Sequence, residues 1–261
     1  CLMDDTARAL GMDPLDFRLK NTGRNGDISP LNGKPVATLG ISDCLEEGRK
    51  KFRWDERKAA CKAFNEEAVR TGSPLRRGVG VSAFSYGSGT YPANVEPGSA
   101  RLILNQDGTV NLMTGATEIG QGADTAFAQM VSETLGVAYE NIHVISTQDT
   151  DVTPFGLGAY ASRQTYVGGF SIKQTALLMR ERILKYAYEL TRMPPFEMDI
   201  VDGRILRKSD GRVLMTLGEL ATEALYSLSH SEHITAESTY QIKSNAYSFG
   251  CSFAEVEVDM S

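Results

Sequence analysis

Two glycine-rich stretches hold the residue types whose spacing could do chemistry. The first is Thr114-Gly115-Ala116-Thr117-Glu118-Ile119-Gly120-Gln121-Gly122-Ala123-Asp124-Thr125. Gly120 and Gly122 carry no Cβ, so a ligand can approach the backbone closely. Gln121 between them offers both a donor and an acceptor. The stretch lies between a predicted strand and a predicted helix. A helix start turns its unpaired N–H groups and positive dipole end toward the preceding loop. That combination suits a phosphate or a polar heterocycle. A plain strand-to-helix turn with Asp124 or Thr125 as N-cap is an equally open reading of the same residues.

The second stretch is Asp151-Val152-Thr153-Pro154-Phe155-Gly156-Leu157-Gly158-Ala159-Tyr160-Ala161-Ser162-Arg163-Gln164-Thr165. It also follows a strand and precedes a helix. Gly156, Gly158, Ala159 and Ala161 leave room for a bulky group. Ser162, Arg163 and Thr165 then offer two hydroxyls and a guanidinium, which can hold an anion, the arginine bidentately. The alternative is a long surface loop, although long structureless loops are more often functional than not.

The elements that position these stretches follow from periodicity. Residues 2–10 read as a helix stopped by Gly11, and a second helix starts with Asp13 as N-cap and Pro14 at the first helical position. Residues 21–34 read as loop, and 41–69 as helix broken around 52–54. The break at 71–74 marks the domain boundary, giving segments 1–75 and 76–261. From Gly78 on, strands dominate: 78–84, then 100–104 and 110–114 joined through Asp107-Gly108, a hairpin signal. A helix over 124–135 carries Phe127, Met130, Val131 and Leu135 on one stripe. A short strand at 142–146 follows. The helix over 169–190 repeats Ile172, Ala176, Met179, Ile183, Ala187 and Leu190 at steps of three and four. A hairpin around Asp202-Gly203, a strand at 212–214, a helix from about Leu217 and strands at 234–242 and 248–259 complete the chain. The order β-β-α-β-α-β-β-α-β-β argues for an α+β fold, a mixed sheet with helices packed on one face in two layers.

Composition narrows the function classes. The 261 residues carry a net charge of −6, with 41% hydrophobic and 23% charged residues. Nucleic acid and anionic membranes are therefore disfavoured partners, and no apolar run is long enough to span a bilayer. The four cysteines, Cys1, Cys44, Cys61 and Cys251, form no CxxC. That excludes a zinc ribbon or an iron–sulfur cluster held by this chain alone, and fits a cytoplasmic setting. Residues 78–83 and 156–161 match GxGxxA, but neither has the strand–glycine–helix context of a dinucleotide site. Gly250-Cys251-Ser252-Phe253-Ala254 sits in a predicted strand, which no nucleophile elbow does. His230-Ser231-Glu232-His233 reads as a solvated loop, His143 as a packed strand residue, and the charge run 49–53 as a solvated helix face.

Taken together, Gly115-Ala116-Thr117-Glu118-Ile119-Gly120-Gln121-Gly122 before a helix and Thr153 to Arg163 downstream resemble the molybdopterin-binding region of the xanthine dehydrogenase/aldehyde oxidase family, the molybdenum hydroxylases. The opening, Asp4 through Asn21, is similar to that family's join between its two molybdenum-binding lobes. The resemblance covers nearly the whole chain. It implies a helical interlobe segment at 1–75 and an α+β molybdopterin-binding lobe at 76–261, truncated at its C-terminus. The chain is thus expected to be an internal piece of a large subunit, since it opens as if inside a helix and closes on a strand in full stride.

What the resemblance implies about the site is specific. Gln121, Gly120 and Gly122 match the family's glutamine and its flanking glycines, and Thr125 follows them. Ala159 matches a position whose backbone lies close to the metal, beside Gly158 and Ala161. Ser162, Arg163, Gln164 and Thr165 would hold the pterin phosphate or a nucleotide extension such as cytosine. The pterin dithiolene holds the metal, so no protein metal ligand is expected. Phe155, Leu157 and Tyr160 could shape a substrate channel. The catalytic base is a glutamate expected beyond Ser261, because the one Gly-Glu pair here, Gly218-Glu219, opens a helix in the wrong context. The implied reaction hydroxylates an N-heterocycle, an aldehyde or a related aromatic substrate with water-derived oxygen. Electrons would pass to Fe–S centres and FAD in other domains or subunits. The fragment alone is expected to be inactive. The rival readings are a non-catalytic cofactor-binding or assembly domain of the same architecture, and a nicotinamide dehydrogenase, which lacks its required context here.

Overall fold

In the computed structural model the described residues are 2–29, 33, 35, 36, 38–91, 96–147 and 149–261. Cys1 and positions 30–32 and 34 of the expected loop lie outside them. The chain forms two compact units, Cys1–Gly87 with Ala246–Ser261, and Ser88–Asn245. The boundary expected at 75/76 falls inside the first of these units.

The first unit comprises helices α1 (Leu2–Ala9), α2 (Pro14–Asn21), α3 (Ile41–Phe52) and α4 (Trp54–Thr71), with strands β1 (Leu75–Ser88) and β9 (Ala246–Asp259) as a two-stranded ribbon. Asp13 caps α2 as its residue type demands, accepting the Leu15 N–H at 2.7 Å and the Asp16 N–H at 3.2 Å. Its second oxygen takes the Trp54 Nε1–H at 3.2 Å and the Lys58 ammonium, so one carboxylate ties the start of α2 to α4. The break between α3 and α4 is Arg53 in the left-handed conformation, φ 60°. Leu15, Leu45, Trp54 and Val81 form the buried core, with Phe253 edge-on to Trp54. Of the charge run 49–53, Lys50, Lys51 and Arg53 are exposed as expected, and Arg49 is the exception. Arg49 is half-buried and bridges Asp16 and Asp55, the latter through two nitrogens at 2.8 and 2.9 Å, because three helix ends bring those carboxylates together.

The second unit is built on a four-stranded sheet in the order β4-β3-β2-β8, with β2 (Pro97–Leu104), β3 (Val110–Thr114), β4 (Ile142–Ile145) and β8 (Thr235–Gln241). The β2–β3 hairpin turns at Asp107-Gly108, and β3 pairs parallel with β4, which makes the sheet mixed. Residues alternate along β2. Gly98, Ala100, Leu102 and Leu104 are buried against the helices, while Arg101 pairs with Glu237 at 2.7 Å on the other face. That period of two is what one covered face imposes. Helices α5 (Ala123–Leu135) and α6 (Gly169–Thr191) cover the buried face, so the fold is α+β with helices on one side, as expected.

Along α6, Ile172, Ala176, Met179, Ile183 and Ala187 are buried, but Leu190 is 40% exposed. The expected stripe ends one turn early, where the helix runs past its cover. His143 is also exposed rather than packed, because it lies with Asn111 on the sheet face that the helices do not cover, while its neighbour Ile142 faces the core. A small sheet of β5 (Met198–Val201), β6 (Arg204–Arg207) and β7 (Val213–Thr216), with α7 (Leu217–Tyr226), completes the unit. Three strands precede α5 and three separate α6 from α7, as the strands expected one by one at 78–84, 100–104 and 110–114 and around 202–214 require; the order β-β-α-β-α-β-β-α-β-β leaves one out in each place. The β5–β6 turn places Asp202 and Gly203 both at positive φ, 47° and 69°, the type I′ geometry that an Asp-Gly pair favours.

Gly136 ends α5 at φ +81°, and a Cβ there would stand 2.0 Å from the Ile200 carbonyl oxygen. Gly203 at φ +69° faces open space. Gly203→Ala is therefore expected to cost about 1–2 kcal/mol of left-handed strain. Gly136→Ala should cost clearly more, read as the shift between their urea unfolding midpoints.

Candidate functional site

The first glycine-rich stretch follows β3 and enters α5, but it is not an open anion cradle. Gly122 at φ 81° is the N-cap and supplies no capping side chain, so neither Asp124 nor Thr125 caps the helix. Glu118 does so from inside the loop. Its Oε1 accepts the N–H of Gly120 at 2.7 Å and of Gly122 at 3.1 Å, and its Oε2 accepts that of Asp124 at 3.1 Å. These bonds, led by those from Asp124 and Gly122, hold the Glu118 carboxyl below its ordinary range. Gln121 closes the other side. Its Oε1 accepts the Ile119 N–H at 2.7 Å and its Nε2 donates to the Thr117 carbonyl at 2.9 Å. A primary amide has two N–H groups and two lone pairs, so Gln121, which is exposed, keeps one of each beyond these bonds. Thr125 is exposed in the first turn of α5, and Gly120 and Gly122 have no heavy atom within 4 Å of a Cβ position.

The second stretch is organised around an acid that the sequence did not single out. Glu96, just before β2, is fully buried. It receives the Arg163 Nε–H at 2.7 Å, the Thr90 N–H at 2.8 Å, the Tyr160 hydroxyl at 3.2 Å and the Thr90 hydroxyl. Burial alone would raise its pKa, but the bonds from Thr90 and Arg163 outweigh that and hold it below the usual range. Arg163, 3% exposed, also donates to the carbonyls of Gly158 at 3.3 Å and of Pro97. The expectation that Arg163 holds a ligand anion is therefore corrected. Its buried guanidinium faces Glu96 and two carbonyls, one bond from each nitrogen, and so shapes the loop. Burial, followed by the nearby Glu96 charge, raises the Tyr160 pKa, and its hydroxyl braces the same hub.

The braced loop carries strain. Ala161 and Ser162 both sit at positive φ, 45° and 49°, a conformation that costs a non-glycine residue on the order of 1–3 kcal/mol and clusters at ligand clamps. Gly89 N–H holds the Ala161 carbonyl at 2.7 Å. Gly158, at φ 93°, Ala159 and Ala161 are half-buried, and Ser162 is exposed. Gln164 opens a single π-helical turn over Gln164–Gly168, a distortion frequent at functional sites. Its amide is buried, and neither Oε1 nor Nε2 has a hydrogen-bond partner. Thr165 is exposed and lines an open groove of about 680 Å³ between α5 and α6.

The fold brings the two stretches into backbone contact. A Cβ on Gly115 would lie 2.2 Å from the Pro154 carbonyl oxygen, and one on Gly156 would lie 2.1 Å from that of Gly115. Only a pair of glycines permits this approach. Among the expected channel residues, Phe155 and Leu157 are exposed. Glu219 takes no part in the site. It is the third residue of a capping box on α7 and accepts the Thr216 N–H at 2.7 Å. His230 and His233 are exposed, as expected for a loop.

Comparison with known proteins adds the following. The molybdopterin cofactor-binding domain family matches residues 47–261. The chain is 46% identical, over its whole length, to the putative xanthine dehydrogenase molybdenum-binding subunit XdhA of Escherichia coli, and covers 34% of that protein. It is 35% identical over 66% of its length to aldehyde oxidoreductase of Megalodesulfovibrio gigas, of which it covers 18%. CO dehydrogenase from Oligotropha carboxidovorans shares the fold, with a TM-score of 0.80 at 24% identity over 98% of this chain and 33% of that one. The chain thus spans about a third, or less, of the length of these relatives.

Glu96→Gln leaves Arg163 buried without a counter-charge and is expected to cost about 3–5 kcal/mol. The double variant Glu96→Gln/Arg163→Met should recover part of the loss. Because the folded pKa of Glu96 is depressed, its contribution is complete above the ordinary glutamate value of about 4.3. It fades as the pH falls through the lower folded value. The stability difference between wild type and Glu96→Gln, measured by urea unfolding across pH, should therefore be constant near neutrality and shrink in acid.

Proposed function

The chain belongs to the molybdopterin cofactor-binding domain family, and on that premise we propose that it forms a wall of the cofactor site in the large subunit of a xanthine dehydrogenase-like molybdenum hydroxylase. The observation that carries this reading is the docking of the two glycine-rich stretches at Gly115 and Gly156. It brings together the two stretches that carry the candidate cofactor residues.

The residues fit such a group. Gln164 offers a buried amide with no partner in the chain, Gly120, Gly122 and Gly158 expose backbone that no Cβ shields, and Ala161-Ser162 is held in a strained conformation. Gln121, with the backbone of Gly120 and Gly122 and the adjoining Thr125, would meet the polar edge of the pterin. Gly158, Ala159 and Ala161 would let it approach the second loop. The hydroxyls of Ser162 and Thr165, with Gln164, would hold its phosphate or a cytosine nucleotide extension. Arg163 would act through the loop it shapes.

When bound, the group supplies a molybdenum centre where an electrophilic carbon of an N-heterocycle, aldehyde or related aromatic is hydroxylated with water-derived oxygen, the electrons leaving to iron–sulfur and flavin centres in other domains or subunits. The chain's own residues bind and orient. The proton-accepting glutamate implied by the resemblance is assigned to the longer protein outside this stretch, and Glu219 is committed to its helix cap. Residues 1–75 are assigned to the interlobe segment and 76–261 to the cofactor-binding lobe, in a cytoplasmic enzyme. Among the described residues no helix is long and apolar enough to cross a membrane.

The test uses the full-length subunit in its complex. Gln121→Ala and Ser162→Ala should each lower the molybdenum and pterin content per subunit, by metal analysis and pterin fluorescence, while the fold is kept. Unchanged content in both would remove these loops from the cofactor site. The isolated 261-residue chain should show no turnover of N-heterocycles or aldehydes with a dye acceptor, and turnover would place the base within it.

A further inference from the structure

The N-terminus of α5 is the feature that a glycine-rich phosphate loop would use, and here a carboxylate of the loop already sits at it. Four loop N–H groups, those of Ile119, Gly120, Gly122 and Asp124, are taken by two side chains of the loop itself, Gln121 and Glu118. The acceptor at the helix end is a carboxylate, and a helix N-terminus favours one negative charge for the same reason that it favours a phosphate. A second carboxylate stands in the first turn. Asp124 accepts the Ser146 hydroxyl at 2.9 Å through Oδ2, and its Oδ1 is buried with no partner. An anion brought to this end would meet two carboxylates and find the nearest donors engaged.

We infer that Glu118 is a positioning and selectivity residue. As the internal anion of the Gly-rich loop, it holds the Gly120-Gln121-Gly122 backbone in place and reserves that loop for an uncharged polar edge of the ligand, excluding phosphate from the α5 terminus. This deepens the cofactor-site reading and rests on it for the identity of the ligand. The phosphate end of the bound molecule is thereby left to the second loop, where Ser162, Gln164 and Thr165 supply neutral donors. Glu118 itself does not touch the reacting atoms. It acts through the shape it gives Gln121.

The experiment compares wild type, Glu118→Gln and Glu118→Ala in the full-length subunit within its complex. Hydrogen exchange at Gly120, Gly122 and Asp124 should quicken several-fold in Glu118→Ala, with exchange in residues 172–187 unchanged. Inorganic phosphate should raise the melting temperature of Glu118→Ala and Glu118→Gln and leave that of wild type unmoved, because removing the carboxylate opens the helix end to an anion. Molybdenum and pterin content should fall in Glu118→Ala. Wild type that gains as much from phosphate as the variants, or variants with unaltered loop exchange, would overturn the inference. If Glu118→Ala fails to fold, the phosphate response of Glu118→Gln decides the matter alone. A wild-type subunit without pterin would defeat the cofactor reading, while the exchange and phosphate responses would still judge Glu118.

Discussion

A carboxylate and a guanidinium buried together, Glu96 and Arg163, organise the second unit at the place where chemistry is expected. Each alone would be costly to remove from water, and together they balance only if the remaining donors and lone pairs find partners. Thr90, Tyr160 and the carbonyls of Gly158 and Pro97 supply such partners. The pair thereby joins the start of β2 to a loop some 67 positions later in the chain. It also holds the Ala161-Ser162 step in a conformation that an unbraced loop would leave. Strain of that kind persists only where the surroundings over-determine it, and the ion pair with its hydrogen bonds is what does so here.

The other glycine-rich stretch reaches order by a different route. It is exposed, so screening limits what any one charge contributes. Its definition comes from the number of its own backbone groups that its side chains satisfy. Glu118 and Gln121 between them engage four N–H groups and one carbonyl. One loop is thus set by a buried charge pair and the other by local side-chain bonds. They meet at a pair of glycines whose backbones leave no space for a methyl group. The glycines that matter most for assembly, Gly115 and Gly156, are not those that leave backbone open to a ligand, Gly120, Gly122 and Gly158.

Local signals were legible wherever one residue type has one physical use. Asp13 before Pro14, Asp-Gly in two hairpins and the stripe from Ile172 to Ala187 all took their expected places, because caps, turns and amphipathic faces are decided within a few residues. The errors share a cause. Leu190 keeps the helical period but lies past the end of what covers α6, and His143 lies on the sheet face that no helix covers. Arg49 reads as a surface charge until three helix ends bring Asp16 and Asp55 to it. Each depends on neighbours distant in the chain. Glu118 is the exception, since a carboxylate four residues before a glycine N-cap can fold back onto the N–H groups that the cap leaves open, and that spacing was available to read.

The sequence by itself determined the α+β class, the two glycine-rich stretches and the family to which they point. It did so because glycines, caps and periodic apolar faces act locally, and because a motif is a linear pattern. Tertiary structure alone decided what the charged residues of those stretches do. Arg163 was read as an anion holder for a ligand, and the anion it holds is Glu96. A buried guanidinium must be neutralised where it lies, and its partner was supplied by the chain's own return through β2, a position that no local pattern marks.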